Sequence, residues 1–188
     1  MNFNAVVAAV LDITKRPDKT ADTERAVNAA LSFFCLKDSF AQDLIEQTLA
    51  IDPSKFGDTI SLASLTRFRR FKYIKVTGVL GYLQPIGADK VFTGGSVMQK
   101  NCYYVAGTNL TYILPAQASS LEVGYYTYPS ILSGNNTHWM LDMFPNIIIN
   151  RAAANIFKSI GDDNSFKIHN SLAMEEFLVL QGDLNQGG

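Results

Sequence analysis

Histidine and cysteine are scarce in this 188-residue chain, with two of each. Cys35 and Cys102 lie far apart and belong to no CxxC or Cys/His cluster, so they read as reduced, inert thiols rather than a disulfide or a metal site. His138 and His169 sit in separate segments with no carboxylate or cysteine at metal-ligand spacing, and read as surface or helix-cap residues. No Ser-His-Asp or Cys-His pairing can be assembled from the chain. The paired glycine of "FTGGS" lacks both the GxxxxGK[ST] and the GxGxxG spacing that cradle phosphates. No enzyme activity and no cofactor are expected. No apolar run is long enough to span a bilayer. The opening "NFNAVVAAVLDIT" has an apolar face but no basic segment before it, so a cytoplasmic site of synthesis and no membrane partner are expected. The sequons at Asn109 and Asn135 carry little weight in such a chain. Net charge is −1, which excludes a polybasic nucleic-acid binder and an acidic solvating chain. Any electrostatic partner must therefore be met by a local patch.

What the chain does have is apolar content, 47% of its residues. A single domain of this size buries roughly 70% of its unfolded surface and needs no metal or disulfide. Phe3, Val6, Val7 and Val10 follow the i, i+3, i+4, i+7 template of a helix that "KRPDK" ends near Pro17. Val27, Ala30, Leu31 and Phe34 repeat that spacing on a second helix, for which Thr20 or Asp22 is a cap. Strands are then expected at "LIEQTLAID", at "FRRFKYIKVTGVL", as a pair around the turn in "NCYYVAGTNLTYILP", and at "LEVGYYTYP". "QPIGADKVFTGGS" reads as a loop or short irregular hairpin. From Thr137 to about Ile160 a helix apolar nearly all round is expected, buried inside the domain or between subunits. "GDD" at 161 to 163 supplies a C-cap glycine and N-cap aspartates rather than a metal site. A last helix runs from about Ser165 to Leu180. The fold class is α+β: one domain over residues 1–188, a four-helix bundle (about 3–40 and 137–180) with an inserted antiparallel β subdomain (about 43–129).

Two stretches invite a functional reading. The strand "LEVGYYTYP" places Tyr125 on one face and Tyr126 and Tyr128 on the other, so one face can pack while the other offers phenols to a neighbour. "TRFRRFKYIKV" carries Arg67, Arg69, Arg70, Lys72 and Lys75 with no acid, interleaved with Phe68, Phe71 and Tyr73. Cations with stacking rings suit nucleic acid. Positive charge also protects an exposed strand from aggregation, or forms a salt-bridge face across subunits. Both readings stand at this point, and a small nucleic-acid-binding module using residues 67–75 is the alternative function.

The order of these elements resembles the head-to-tail adaptor (connector) proteins of tailed bacteriophages, especially short-tailed ones. The likeness lies in "ERAVNAALSFF" leading to "FAQDL", in "YYVAGTNLTYILPAQASSLEVGYYTYPSIL", and in "SGNNTHWMLDMFPNIIINRAAANIF" followed by a "GDD" helix. In that family a strand ending in Tyr-Tyr and a proline precedes a Trp-containing turn and an Asp-hydrophobic-Pro helix start. Here those positions are Tyr125, Tyr126, Pro129, Trp139, Asp142 and Pro145. The segment 78–100 has no counterpart in the resemblance. What the resemblance implies is a structural virion protein at the head–tail interface, synthesised in the host cytoplasm. Its copies, usually twelve, would form a ring below the portal protein, receive tail or nozzle proteins, and let genomic DNA pass during packaging and ejection without reading its sequence. On that reading Tyr125, Tyr126, Tyr128 and Trp139 are subunit-interface residues. Phe177, Leu178, Val179 and Leu180 anchor the C-terminal segment on the portal. Of the five basic residues, one or two face the channel and the rest pair with acids or sit at subunit contacts.

Overall fold

Apolar residues at helical spacing need a shared partner, and in the first part of the chain they find it. In the computed structural model, which describes residues 1–87, 100–114 and 116–185, α1 (Phe3–Thr14) and α2 (Thr20–Lys37) carry the expected apolar stripes. The chain divides into two units: Met1–Ser39 with Pro129–Gly188, and Phe40–Tyr128.

The helical unit adds α3 (Trp139–Met143), α4 (Pro145–Ser159) and α5 (Asp163–Asn185). Helix α4 packs against α1, α2, α3 and α5. Its near-continuous apolar surface is thereby explained: Ile147, Ile148, Ala152, Ala153, Ala154 and Ile156 are all buried, and the three alanines let neighbouring helices approach closely. The helix expected from Thr137 to Ile160 is interrupted at Phe144. Pro145 takes the first position of α4, and the residue before a proline is forced out of helical geometry. Thr20, expected as a cap, instead lies inside α2 and donates its hydroxyl back to the Pro17 carbonyl. The "GDD" turn behaves as expected of a cap. Gly161 has φ 79°, and the Asp162 carboxylate accepts from the Ser165 amide at 3.0 Å.

The inserted unit holds two sheets around one core. β1 (Leu44–Ala50), β7 (Ser120–Thr127) and β3 (Phe68–Val76) form an antiparallel sheet in the order β1-β7-β3. β2 (Gly57–Ser61), β6 (Asn109–Ile113), β5 (Cys102–Ala106) and β4 (Gln84–Pro85) form the other, in the order β2-β6-β5-β4. Most of this is antiparallel as expected, but β4 pairs with β5 in parallel. Leu49, Ile74, Leu110, Tyr112, Leu121, Val123 and Tyr125 share the core between the sheets. β2, short and half-exposed, carries no expectation from the sequence, and β4, two residues long, falls in the stretch read as a loop or short irregular hairpin. The glycine pair of "FTGGS" lies outside the described residues.

On the face of the first sheet turned away from this core, one contact depends on glycine. Tyr73 on β3 is the cross-strand partner of Gly124 on the central strand, and its hydroxyl donates to the Glu46 carboxylate on β1. The phenol ring therefore lies across β7 and ties the two edge strands together. A methyl group at 124 would overlap the Tyr73 ring at Cε1 and stand 2.7 Å from its Cζ. Gly124→Ala is expected to destabilise the unit by about 1–3 kcal/mol in denaturant unfolding, as overpacking does. The loss should shrink when Tyr73→Ala is present, because the ring that meets the methyl is gone.

The same contact sets a pH response. The hydrogen bond to Glu46, aided by burial and by that carboxylate's charge, pushes the Tyr73 phenol up to about 12. The protonated phenol is the form the fold favours. Its contribution is complete below the ordinary tyrosine value of 10.0 and is lost as pH rises through about 12. A spectrophotometric titration should show late-ionising tyrosines, Tyr103 and Tyr112 being raised by burial as well, and Glu46→Gln should bring one of them, Tyr73, back towards the ordinary value.

Candidate functional site

The basic strand owes its arrangement to two irregularities. Facing the core, β3 places Phe68, Phe71, Ile74 and Val76, a spacing of three, three and two. A regular strand alternates every two residues. The register shifts between Phe68 and Arg70 and again between Phe71 and Tyr73, so Arg69 and Lys72 are the extra residues of two bulges. The bulges restore the alternation and put Arg70, Tyr73 and Lys75 on the outer face. There Lys75 pairs with Glu122 at 2.6 Å, and the Arg70 guanidinium lies 5.5 Å from the centre of the Tyr126 ring. Lys75 and Glu122 are each more than a third exposed, so this pair fixes the direction of Lys75 more than it adds stability. Arg67, with φ 50°, and Lys72 are exposed.

That arrangement corrects one premise of the nucleic-acid reading. Phe68 and Phe71 pack against the core, with their rings 4.6 Å apart, and Tyr73 is held by Glu46. None of the three is a free platform for a base.

The tyrosine strand is corrected as well. Tyr125 is a core residue, 1% exposed, with its hydroxyl donating to Gln47 at 3.3 Å. Tyr126 is buried on the other face. The outer face of β7 is covered by the Tyr73 ring and the Arg70 guanidinium from β3, and of the three tyrosines only Tyr128, just past the strand's end, is exposed, at 47%. Trp139 is half-buried at the start of α3, where its ring meets His138 and stands edge-on to Phe144.

Periodicity likewise divides the C-terminal anchor. Ala173, Phe177 and Leu180 lie at i, i+4 and i+7 on the buried face of α5, and the Phe177 ring packs 4.7 Å from that of Phe34. Leu178 and Val179 point outward, 62% and 65% exposed. Beside them runs a groove of about 260 Å³ between the start of α4 and the end of α5, lined by Met143, Phe144, Pro145, Ile147, Glu176 and Val179 among others. Burial pushes the Glu176 carboxyl above its ordinary value. Through Phe144, the groove brings Trp139 and the end of α5 into one region of the helical unit. Met143, Phe144 and Glu176 were not singled out from sequence; the break imposed by Pro145 was the signal that this turn would be presented rather than packed.

Of the remaining chemically capable groups, the Cys35 thiol and a ring nitrogen of His138 lie within 4.8 Å of each other in the helical unit, which corrects the expectation that no cysteine meets a histidine. His138 caps α3 by accepting the Met140 amide, and His169 stacks on Phe157 with Nδ1 bonded to Asn150. Burial lowers the His169 imidazole's pKa, so its neutral form is favoured. Burial also pushes the Cys102 thiol up, away from the reactive thiolate. A second recess, of about 380 Å³, lies in the β unit between Lys72, Tyr73, Tyr82, Pro85 and Tyr103. No described helix is long and apolar enough to cross a membrane.

Two comparisons bear on identity. The sequence has no match among curated proteins. The model of the SU10 adaptor protein family matches residues 1–186, which is nearly the whole chain and includes both units. The chain therefore belongs to the SU10 adaptor protein family and is a structural adaptor protein of a bacteriophage.

Proposed function

We propose that this adaptor assembles as a ring, of about twelve copies by family resemblance, below the portal protein of the capsid. It joins the head to tail or nozzle proteins and extends the channel through which genomic DNA passes. The observation that carries this reading is the exposed pair Leu178 and Val179 beside the groove at Met143, Phe144 and Pro145. Apolar side chains this exposed, next to an apolar recess, suit a surface that another protein covers. The portal is assigned to that surface. Phe177 and Leu180, in the same stretch, hold the helix in place from below. Tyr128 and Trp139 are assigned to contacts between copies, while Tyr125 and Tyr126 support the strand from within.

Of the basic residues, Arg67 and Lys72 are assigned to the channel, where they would meet phosphates in a salt-screened, sequence-independent way. Two channel-facing cations per copy would attract a duplex without the grip that five would exert.

Leu178→Ser with Val179→Ser is expected to weaken portal binding at least about tenfold in a pull-down or interferometry assay, with the melting temperature nearly unchanged. Phe177→Ala should instead cost about 3–5 kcal/mol of stability, because it empties a packed core position. Equal portal affinity in the double variant would remove the portal assignment. Tyr128→Ser should leave the subunit folded by circular dichroism while reducing the ring fraction in mass photometry. Rings formed at wild-type concentration would take Tyr128 out of the interface.

A further inference from the structure

Two cations share one aromatic ring on the helical unit. Phe33 on α2 is 37% exposed. Lys37, one turn further along α2, places its Nζ 5.4 Å from the ring centre, and the Arg151 guanidinium, from α4, lies 4.3 Å from it. Arg151 is half-buried and is oriented by a hydrogen bond to the Asn170 carboxamide of α5. The Lys37 ammonium also approaches the Met174 sulfur at 3.8 Å and the Phe177 ring at 5.7 Å. Among the described residues, neither cation forms an ion pair with a carboxylate. Two like charges against one ring repel each other, and the partial burial of one raises the cost. An incoming carboxylate would relieve both effects.

Helix α5 carries the opposite chemistry. Ile168, Leu172 and Glu175 follow one another at i, i+4 and i+7, and all three are exposed. Glu175 forms no ion pair among the described residues. Asn170, Met174 and Phe177, which touch the cation cluster, lie on the other side of the same helix. The stripe and the cluster therefore open in different directions. One surface is apolar with a lone carboxylate, and the other is aromatic with two unpaired cations.

Unlike, complementary patches on different faces of one unit define a head-to-tail contact, which closes into a ring when the rotation allows. We infer that the Ile168–Leu172–Glu175 stripe of one copy seats on the Phe33–Lys37–Arg151 cluster of the next, with the Glu175 carboxylate taken up between the two cations and Leu172 against the Phe33 ring. This rests on the ring reading above and adds which surfaces meet. A second copy is favoured over DNA phosphate because the receiving surface is centred on an exposed apolar ring, Phe33, and an apolar-flanked carboxylate satisfies both the ring and the cations.

The test is a charge swap on the full-length chain, with assembly followed by mass photometry across a concentration series, alone and with portal. Lys37→Glu and Glu175→Lys should each raise the concentration needed for half-assembly about tenfold or more, within the range of interfacial charge pairs. The double variant should recover most of that loss. Both positions are exposed, so each single variant should melt close to the wild-type temperature. Wild-type rings that tolerate both reversals, or a double variant no better than the singles, would overturn the pairing and leave the ring intact. A wild-type chain that forms no ring even with portal would overturn both. Lys37→Glu that assembles normally but loses affinity for duplex DNA would give the cluster to nucleic acid instead.

Discussion

Eight of the 15 residues of α4 are buried, on more than one side of the helix. A helix this apolar would dissolve any single face-to-face packing arrangement, because exposing half of it to water would forfeit more than helix propensity supplies. It has to be surrounded. The alanines at 152, 153 and 154 make that possible, since they cost little side-chain entropy and keep neighbouring axes close. α1, α2 and α5 gain their burial from α4 in turn, and the two exposed patches of the unit are what these outer helices present once their inner faces are spent.

The β unit solves a different problem by a similar division of faces. Its central strand is covered on both faces, and β7 uses Leu121, Val123 and Tyr125 on one of them. On the other, Gly124 yields its place to the Tyr73 ring, while Glu122 and Tyr126 each meet a cation of β3. Side chains from the edge strand thus do the covering that the central strand's own residues do not. The basic composition of β3 follows from this role as much as from any contact with a partner.

Most of the element order was legible, because the helix periods in α1 and α2 and the β-rich runs of β1, β3, β5, β6 and β7 are strong local signals. What escaped was set by tertiary context. The spacing of Phe68, Phe71, Ile74 and Val76 matches no regular strand, and only the pairing with β7 shows that two bulges reconcile it. The sequence separates Tyr125 from Tyr126 by face, but nothing local says that the face of Tyr126 would be covered by side chains of β3. Two features were readable and under-used. Pro145 announces the break at Phe144, and the i, i+4, i+7 placement of Ala173, Phe177 and Leu180 separates the buried from the exposed part of the C-terminal segment. The Phe33 cluster draws on α2 and α4, separated by more than a hundred residues of sequence, and no linear pattern could assemble it.

The pairing of β1 with β7 also bears on how the chain comes together. The inserted unit, Phe40–Tyr128, begins and ends next to strands that are hydrogen-bonded neighbours, with Leu44 opposite Tyr126. Before that unit folds, α2 and α3 are tethered by a long flexible segment, and bringing them together carries its full closure entropy. Once β1 and β7 have paired, the tether behaves as a short one, which lowers the closure cost by about 2 kcal/mol on the logarithmic dependence of loop length. A sheet that closes early would thus act as a clasp, and the helical bundle, although split in sequence, could then assemble almost as if its two halves were consecutive.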